Sequence, residues 1–166
     1  GEGESGIKLQ DVKTVFLLKE KTKNAVYEAL INGKVYPVRQ GEDYRLILDE
    51  FSISGTSGVK AISGDEIEVQ GSPNINIKVS AIPPLPPFDK GEIKGESVEV
   101  QLIRSGEMIN KFEGETPLEI SFNDEHLPGS EQGKFKSGDK IYYRLNIYGK
   151  RPNYIISNPI FVKLLP

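Results

Sequence analysis

Cysteine is absent from this chain, and histidine occurs once, at His126. The first absence excludes disulfides, thiolate nucleophiles and zinc–thiolate sites. The second removes the usual means of building a transition-metal centre, which needs three or more converging ligands, several of them histidine or cysteine. It also leaves one histidine to serve as a base, and no serine sits in a Gly-x-Ser-x-Gly elbow, so a serine hydrolase is disfavoured. Long apolar runs are missing: none approaches the roughly 18 residues of a membrane span. No signal peptide is visible. Positive charge is not in excess, with a net charge of −3 and a pI near 5.4, so no overall field draws phosphate backbones. The glycine-rich stretch around Ser54 and Gly58 has no Gly-Lys-Ser/Thr ending and opens no helix, which argues against a phosphate loop. The expectation is a chain with no catalytic residues, no cofactor, no metal and no nucleic-acid partner. Its compartment is left open, because a lack of cysteine is common in exported and cytoplasmic domains alike.

What remains is patterned. A chain of 166 residues fits one domain or one domain with a small extension, and is long enough to bury a core without staples. The polar start, Gly1-Glu-Gly-Glu-Ser-Gly6, reads as a flexible lead whose first glycine is a cloning remnant, and the chain as an excised fragment. Val15-Phe-Leu-Leu18 is a short apolar run with strand character. Thr22 can cap a helix carrying Ala25, Val26, Ala29 and Leu30 on one face, and Gly33 stands where a helix end favours a left-handed residue. Lys34-Val-Tyr-Pro-Val38 follows as an extended piece.

From Tyr44 the period becomes two. Tyr44, Leu46 and Leu48, then Ile75, Ile77, Val79 and Ala81, then Val98, Val100 and Leu102, then Leu118, Ile120 and Phe122, and finally Ile141, Tyr143, Leu145 and Ile147 alternate with polar neighbours. Such alternation means strands with one face in a core and one in water. Turn signals at Ser57-Gly58, Gly64-Asp65, Ser105-Gly106 and Ser137-Gly-Asp139 separate them, and Ser105-Gly106 marks the clearest tight hairpin. Tyr154-Ile-Ile156 and Ile160-Phe-Val162 close the chain through Asn158-Pro159. Strands of this number and spacing predict a mainly β fold: an antiparallel, immunoglobulin-like β-sandwich with one N-terminal helix, a partly open β-barrel being the competing architecture. No internal repeat is evident.

Three constellations invite a functional reading. Asn123-Asp-Glu-His-Leu-Pro128 gathers acidic groups beside the single histidine, yet its composition is that of a solvated turn, with a loose calcium site on Asp124 and Glu125 as the alternative. Ile82-Pro-Pro-Leu-Pro-Pro87 could serve as a polyproline ligand, but between two strands it reads as a stiff connector. On the strand from Ile141 the outward set is Tyr142, Arg144, Asn146 and Tyr148, followed by Lys150, Arg151 and Tyr154. Aromatics beside cations suit a protein interface or stacking on a sugar, so Tyr142, Arg144, Tyr148, Arg151 and Tyr154 are the candidate docking or binding face.

Three stretches taken in order resemble the C-terminal region of bacterial PHP-type metal-dependent hydrolases. Residues 21–36, with their alanine-leucine pair before Gly33-Lys34 and Tyr36, look like that family's last helix. Val98-Glu-Val-Gln-Leu-Ile-Arg-Ser-Gly-Glu107 is similar to a strand–turn hairpin of its appended β-domain, and Tyr142-Tyr-Arg-Leu145 with Ser157-Asn-Pro-Ile160 to that domain's closing strands. The family's metal centre begins with His-x-His, which this chain lacks, and no position here matches its ligands. The resemblance implies that residues 1–38 are the tail of a catalytic barrel and residues 39–166 an accessory β-sandwich. Its partner would be the catalytic domain of the same parent chain. An independent carbohydrate- or protein-binding module is the alternative function.

Overall fold

Alternation of apolar and polar side chains builds most of this molecule. A computed structural model describes residues 12–55, 58–84, 91, 93–125 and 135–166. In chain order the elements are β1 (Val12–Phe16), α1 (Lys23–Ile31), β2 (Val35–Arg39), β3 (Arg45–Ser54), β4 (Lys60–Ile62), β5 (Glu66–Gln70), β6 (Asn74–Ile82), β7 (Ser97–Arg104), β8 (Glu107–Glu115), β9 (Leu118–Asn123), β10 (Lys140–Tyr148), β11 (Tyr154–Ile156) and β12 (Ile160–Leu165). They form an eight-stranded sheet around β10 and a four-stranded sheet in the order β4-β3-β6-β9. The inward faces of both share one core, with Ile53, Ile75 and Val79 from the smaller sheet meeting Leu102, Leu145 and Val162 of the larger. The fold is therefore a mainly β sandwich and not a closed barrel. Among the described residues α1 is the one helix, and no helix is long and apolar enough to cross a membrane.

Every apolar set read from the alternation faces inward or packs against the core. β3 runs further than its first three apolar residues indicate, because its register jumps between Leu48 and Glu50. Asp49 is the extra residue of this bulge, and it moves the core-facing parity from Leu46 and Leu48 to Phe51 and Ile53. Ser105 and Gly106 both take positive φ, 46° and 91°, which is the two-residue hairpin turn whose twist suits the strands β7 and β8. One pairing departs from the antiparallel expectation: β5 runs parallel to β12.

The helix is capped as its sequence indicates. The Thr22 hydroxyl accepts the Ala25 amide. At the other end Lys34 donates to the Ala29 carbonyl and Gly33 to that of Leu30, with Gly33 at φ 65°, a complete Schellman motif. The anticipated apolar face is corrected at one position. Ala29 is buried and Ala25 and Val26 are half-buried, but Leu30 stands exposed with Tyr27 and Ile31. The Schellman turn pins the helix by its C-terminal end, which leaves this side uncovered. β2 hydrogen-bonds both β1 and β11, and Tyr36 and Val38 lie in the shared core. A division after residue 38 thus falls inside a strand of the larger sheet.

The larger sheet forks. One edge of β10 pairs with β7. The other pairs with β12 over Lys140–Tyr143 and with β11 over Asn146–Tyr148. Between them Ser157 keeps the ladder whole: its amide donates to the Leu145 carbonyl at 3.0 Å, and its hydroxyl accepts the Leu145 amide at 2.8 Å. Pro159 can donate nothing, so the chain parts here and carries β2 on one branch and β5 on the other. The gap is closed by two turns. Asn158 Nδ2 donates to the Gly33 carbonyl at 2.7 Å, the Gly64 amide donates to the Pro159 carbonyl at 2.8 Å, and Lys34 pairs with Asp65 at 2.8 Å. A Cβ on Gly64 would lie 2.0 Å from the Asn32 carbonyl oxygen, and its φ is 87°. Gly64→Ala should therefore cost about 3 kcal/mol or more, from strain and collision together. Gly71→Ala, at φ 77° with open space around it, should cost only the conformational penalty of about 1–2 kcal/mol. Denaturant melts of the two variants check this, and equal losses would show that the Gly33–Gly64 contact is not tight.

Candidate functional site

The tyrosine face is built by three neighbouring strands. Ile141, Tyr143, Leu145 and Ile147 are buried, which turns Tyr142, Arg144, Asn146 and Tyr148 to the outer surface of the larger sheet. Tyr148 stands directly across from Tyr154, and their rings stack at 4.8 Å with 28° between planes. Burial, and then the Tyr148 hydroxyl, push the Tyr154 phenol above its ordinary range. Tyr142 faces Phe161 across the β10–β12 pair, edge to face at 6.3 Å, and Lys140 lies over the Phe161 ring. Arg144 Nη1 donates to Asn146 Oδ1 at 2.6 Å, which holds the guanidinium along its own strand. Arg151 is exposed in the turn between β10 and β11. Lys150 is drawn away toward Asp43, while its amide is held by the buried Tyr44 hydroxyl at 2.8 Å.

Topology adds a residue that the sequence reading missed. Arg39, the last residue of β2, lies opposite Tyr154, so Arg39, Tyr154, Tyr148 and Glu99 form one row across the sheet. The local signal was the period of two in β2, where Tyr36 and Val38 point inward and Arg39 must point outward. Its place beside Tyr154 comes from a pairing 115 positions away in sequence (154 − 39), which local pattern does not reveal.

A second polar group is buried at one end of the sandwich. Asp124 Oδ2 accepts from Arg104 Nη1 and from the Tyr143 hydroxyl, each at 2.6 Å, and the Arg104 guanidinium lies 5.0 Å from the Phe135 ring centre. Burial first, and then the Asp124 charge, raise the Tyr143 phenol far above its ordinary range. Asp124 is 3% exposed and engaged by a cation, which corrects its reading as part of a solvated turn and also takes it out of the alternative calcium set. His126 lies outside the described residues, as do the later prolines of the proline run. Among the described residues no group of three or more His, Asp and Glu side chains could hold a metal ion.

At the β3 bulge a cleft of about 320 Å³ opens beside Leu17, Tyr36, Phe51 and Ile62. Glu50 stands at it, and hydrogen bonds from Lys60 and Ser52 hold its carboxyl below the usual carboxylate range. Burial pushes the Tyr36 phenol up to about 12. Of its two carboxylates, Glu50 is already paired with Lys60, and Asp49 is the bulge residue beside it. No protein-family model matches the chain, and no curated protein sequence matches it.

Two predictions follow from these contacts. Leu145→Ala should cost about 2–5 kcal/mol through lost burial and a cavity. Tyr142→Ala should cost about 0.2–1 kcal/mol, the worth of one cross-strand pair. Chemical denaturation of both checks the register, and the reverse order of losses would turn the strand over. Asp124→Asn should cost about 3–5 kcal/mol, because it leaves the Arg104 charge buried without its partner. Asp124→Asn combined with Arg104→Met should cost less than Asp124→Asn alone, which a double-mutant cycle measures directly.

Proposed function

We propose that this chain is a non-catalytic accessory β-sandwich, of immunoglobulin-like type, that docks on a PHP-type phosphoesterase-like domain of the same parent chain and shapes the approach to its site. The observation that carries the docking is the stacked Tyr148–Tyr154 pair on the outer surface of the sheet, flanked by Tyr142 and Arg144. Rigid tyrosines beside arginine are the composition of interface hot spots, and strand pairing orders them before binding. Tyr148 also lines an open cleft of about 750 Å³ with Glu99, Glu113 and Lys150, while Tyr142, Arg144 and Tyr154 lie outside it on the sheet, so docking is supported by the tyrosines that stand clear of the cleft. The class of partner rests on the sequence resemblance.

The test is binding between this chain and the region encoded upstream of it in the parent gene, measured by calorimetry. Association is expected, and Tyr148→Ala with Tyr154→Ala should weaken it by about tenfold or more while the variant stays folded. A parent gene with no hydrolase domain upstream, or two regions that do not associate, would overturn the reading. Retention of full affinity by the double variant would place the interface elsewhere.

A further inference from the structure

Several cations of the described surface are paired with carboxylates of the same molecule. Lys60, Lys140 and Lys163 each hold a carboxylate, and Arg104 holds Asp124. Arg39, Arg144 and Arg151 hold none among the described residues, and these arginines surround the stacked tyrosines. Arg39 is opposite Tyr154 in the ladder, Arg151 is in the turn joining the two tyrosine strands, and Arg144 is on the outward side of β10 below Tyr148. The one hydrogen bond of the Arg144 side chain is to the neutral Asn146. Arg39 Nε is buried without a hydrogen-bond partner, so this guanidinium is partly stripped of water and loses less on meeting an anion.

We infer that the tyrosine face receives an acidic segment of its protein partner, with aspartate or glutamate carboxylates on Arg39, Arg144 and Arg151 and an apolar or aromatic side chain on the Tyr148–Tyr154 stack. This rests on the docking reading and names the partner's chemistry. The distances fit an extended segment. Arg144 is four residues from Tyr148, about 13 Å along the strand, and Arg39 is two strands from β10, about 10 Å across the sheet. Planar guanidinium groups pair with carboxylates two bonds at a time, which orients a segment as well as holding it. The patch is also bounded. In the same row beyond Tyr148 come Glu99 and, opposite it on β8, Glu113, with Lys111 between them. A continuous polyanion such as nucleic acid or a sulfated glycan would run onto these carboxylates, whereas a short acidic segment ends before them.

Backbone amide resonances of the ¹⁵N-labelled chain are followed at low salt during titration with an acidic peptide of alternating aspartate, glutamate and tyrosine. A lysine-substituted version of the peptide and a heparin oligosaccharide are the comparisons. The acidic peptide should shift residues around Arg39, Arg144, Tyr148 and Tyr154, with affinity falling as salt rises, and the basic peptide should not. Arg39→Gln, Arg144→Gln and Arg151→Gln together should weaken both this binding and the association with the upstream domain by about tenfold, the summed worth of three exposed charge pairs. No shifts with the acidic peptide at millimolar concentration, equal shifts with the basic one, or a response to heparin alone would overturn the inference. If the double tyrosine variant loses the upstream domain while the triple glutamine variant keeps it in full, the docking reading survives and the acidic partner does not. If the upstream domain fails to associate but the peptide shifts persist and need the arginines, the acidic segment belongs to another protein and the docking partner was wrong.

Discussion

The fork in the larger sheet, at Ser157-Asn158-Pro159, is the constraint on which the remaining architecture depends. A proline cannot donate to the ladder, so the strand beside β10 cannot run unbroken. Ser157 supplies the missing geometry with its own amide and hydroxyl, and both hydrogen bonds end on Leu145, at the centre of the core. Once the branches part, the space between them has to be filled by backbone, because a side chain would hold the turns apart. Gly33 and Gly64 meet there, and one contact joins the helix, the β4–β5 turn and the closing strands. Glycine is required at position 64 both for its φ and for the closeness of Asn32.

That fork also explains how the N-terminal segment belongs to the sandwich. β2 extends the branch that β11 begins, while β5 joins the other branch in parallel. The helix between β1 and β2 therefore delivers its C-terminal turn to the fork and leaves Tyr27, Leu30 and Ile31 in solvent. It is also the reason Arg39 arrives beside Tyr154. Without the branch formed at Asn158, the outer face would hold the tyrosines of β10 and β11 but not the arginine from β2. The same core treats polar groups strictly. Asp124 and Tyr143 are buried with the half-buried Arg104 as one group that converges on the Asp124 carboxylate, although Arg104 Nε is left without a hydrogen-bond partner among the described residues. That use of an aspartate is structural, and it takes Asp124 out of any open ligand set.

Much of this was legible in the residues. Strands whose apolar residues keep a strict period of two, such as β6 and β10, declare both their existence and their buried face, because a slip of one residue would put arginine and asparagine in the core. The helix declared itself through its caps, Thr22 and Gly33, since unpaired amides and carbonyls at helix ends need partners of a particular kind. The bulge at Asp49 was not legible, because an inserted residue breaks the period on which the reading relies.

From the alternation alone, the sequence determined that the chain is mainly β and that Tyr142, Arg144 and Tyr148 share a face, while the choice of two layers over a barrel came from the structure. Only tertiary structure decided which strands lie beside one another. It brought Tyr154 against Tyr148, added Arg39 to their row, turned Asp124 inward to Arg104 and laid β5 parallel to β12. The physical reason is one of range. Side-chain alternation is a property of adjacent residues on one strand, whereas pairing between strands is chosen by the whole core and by the close backbone approach at the fork.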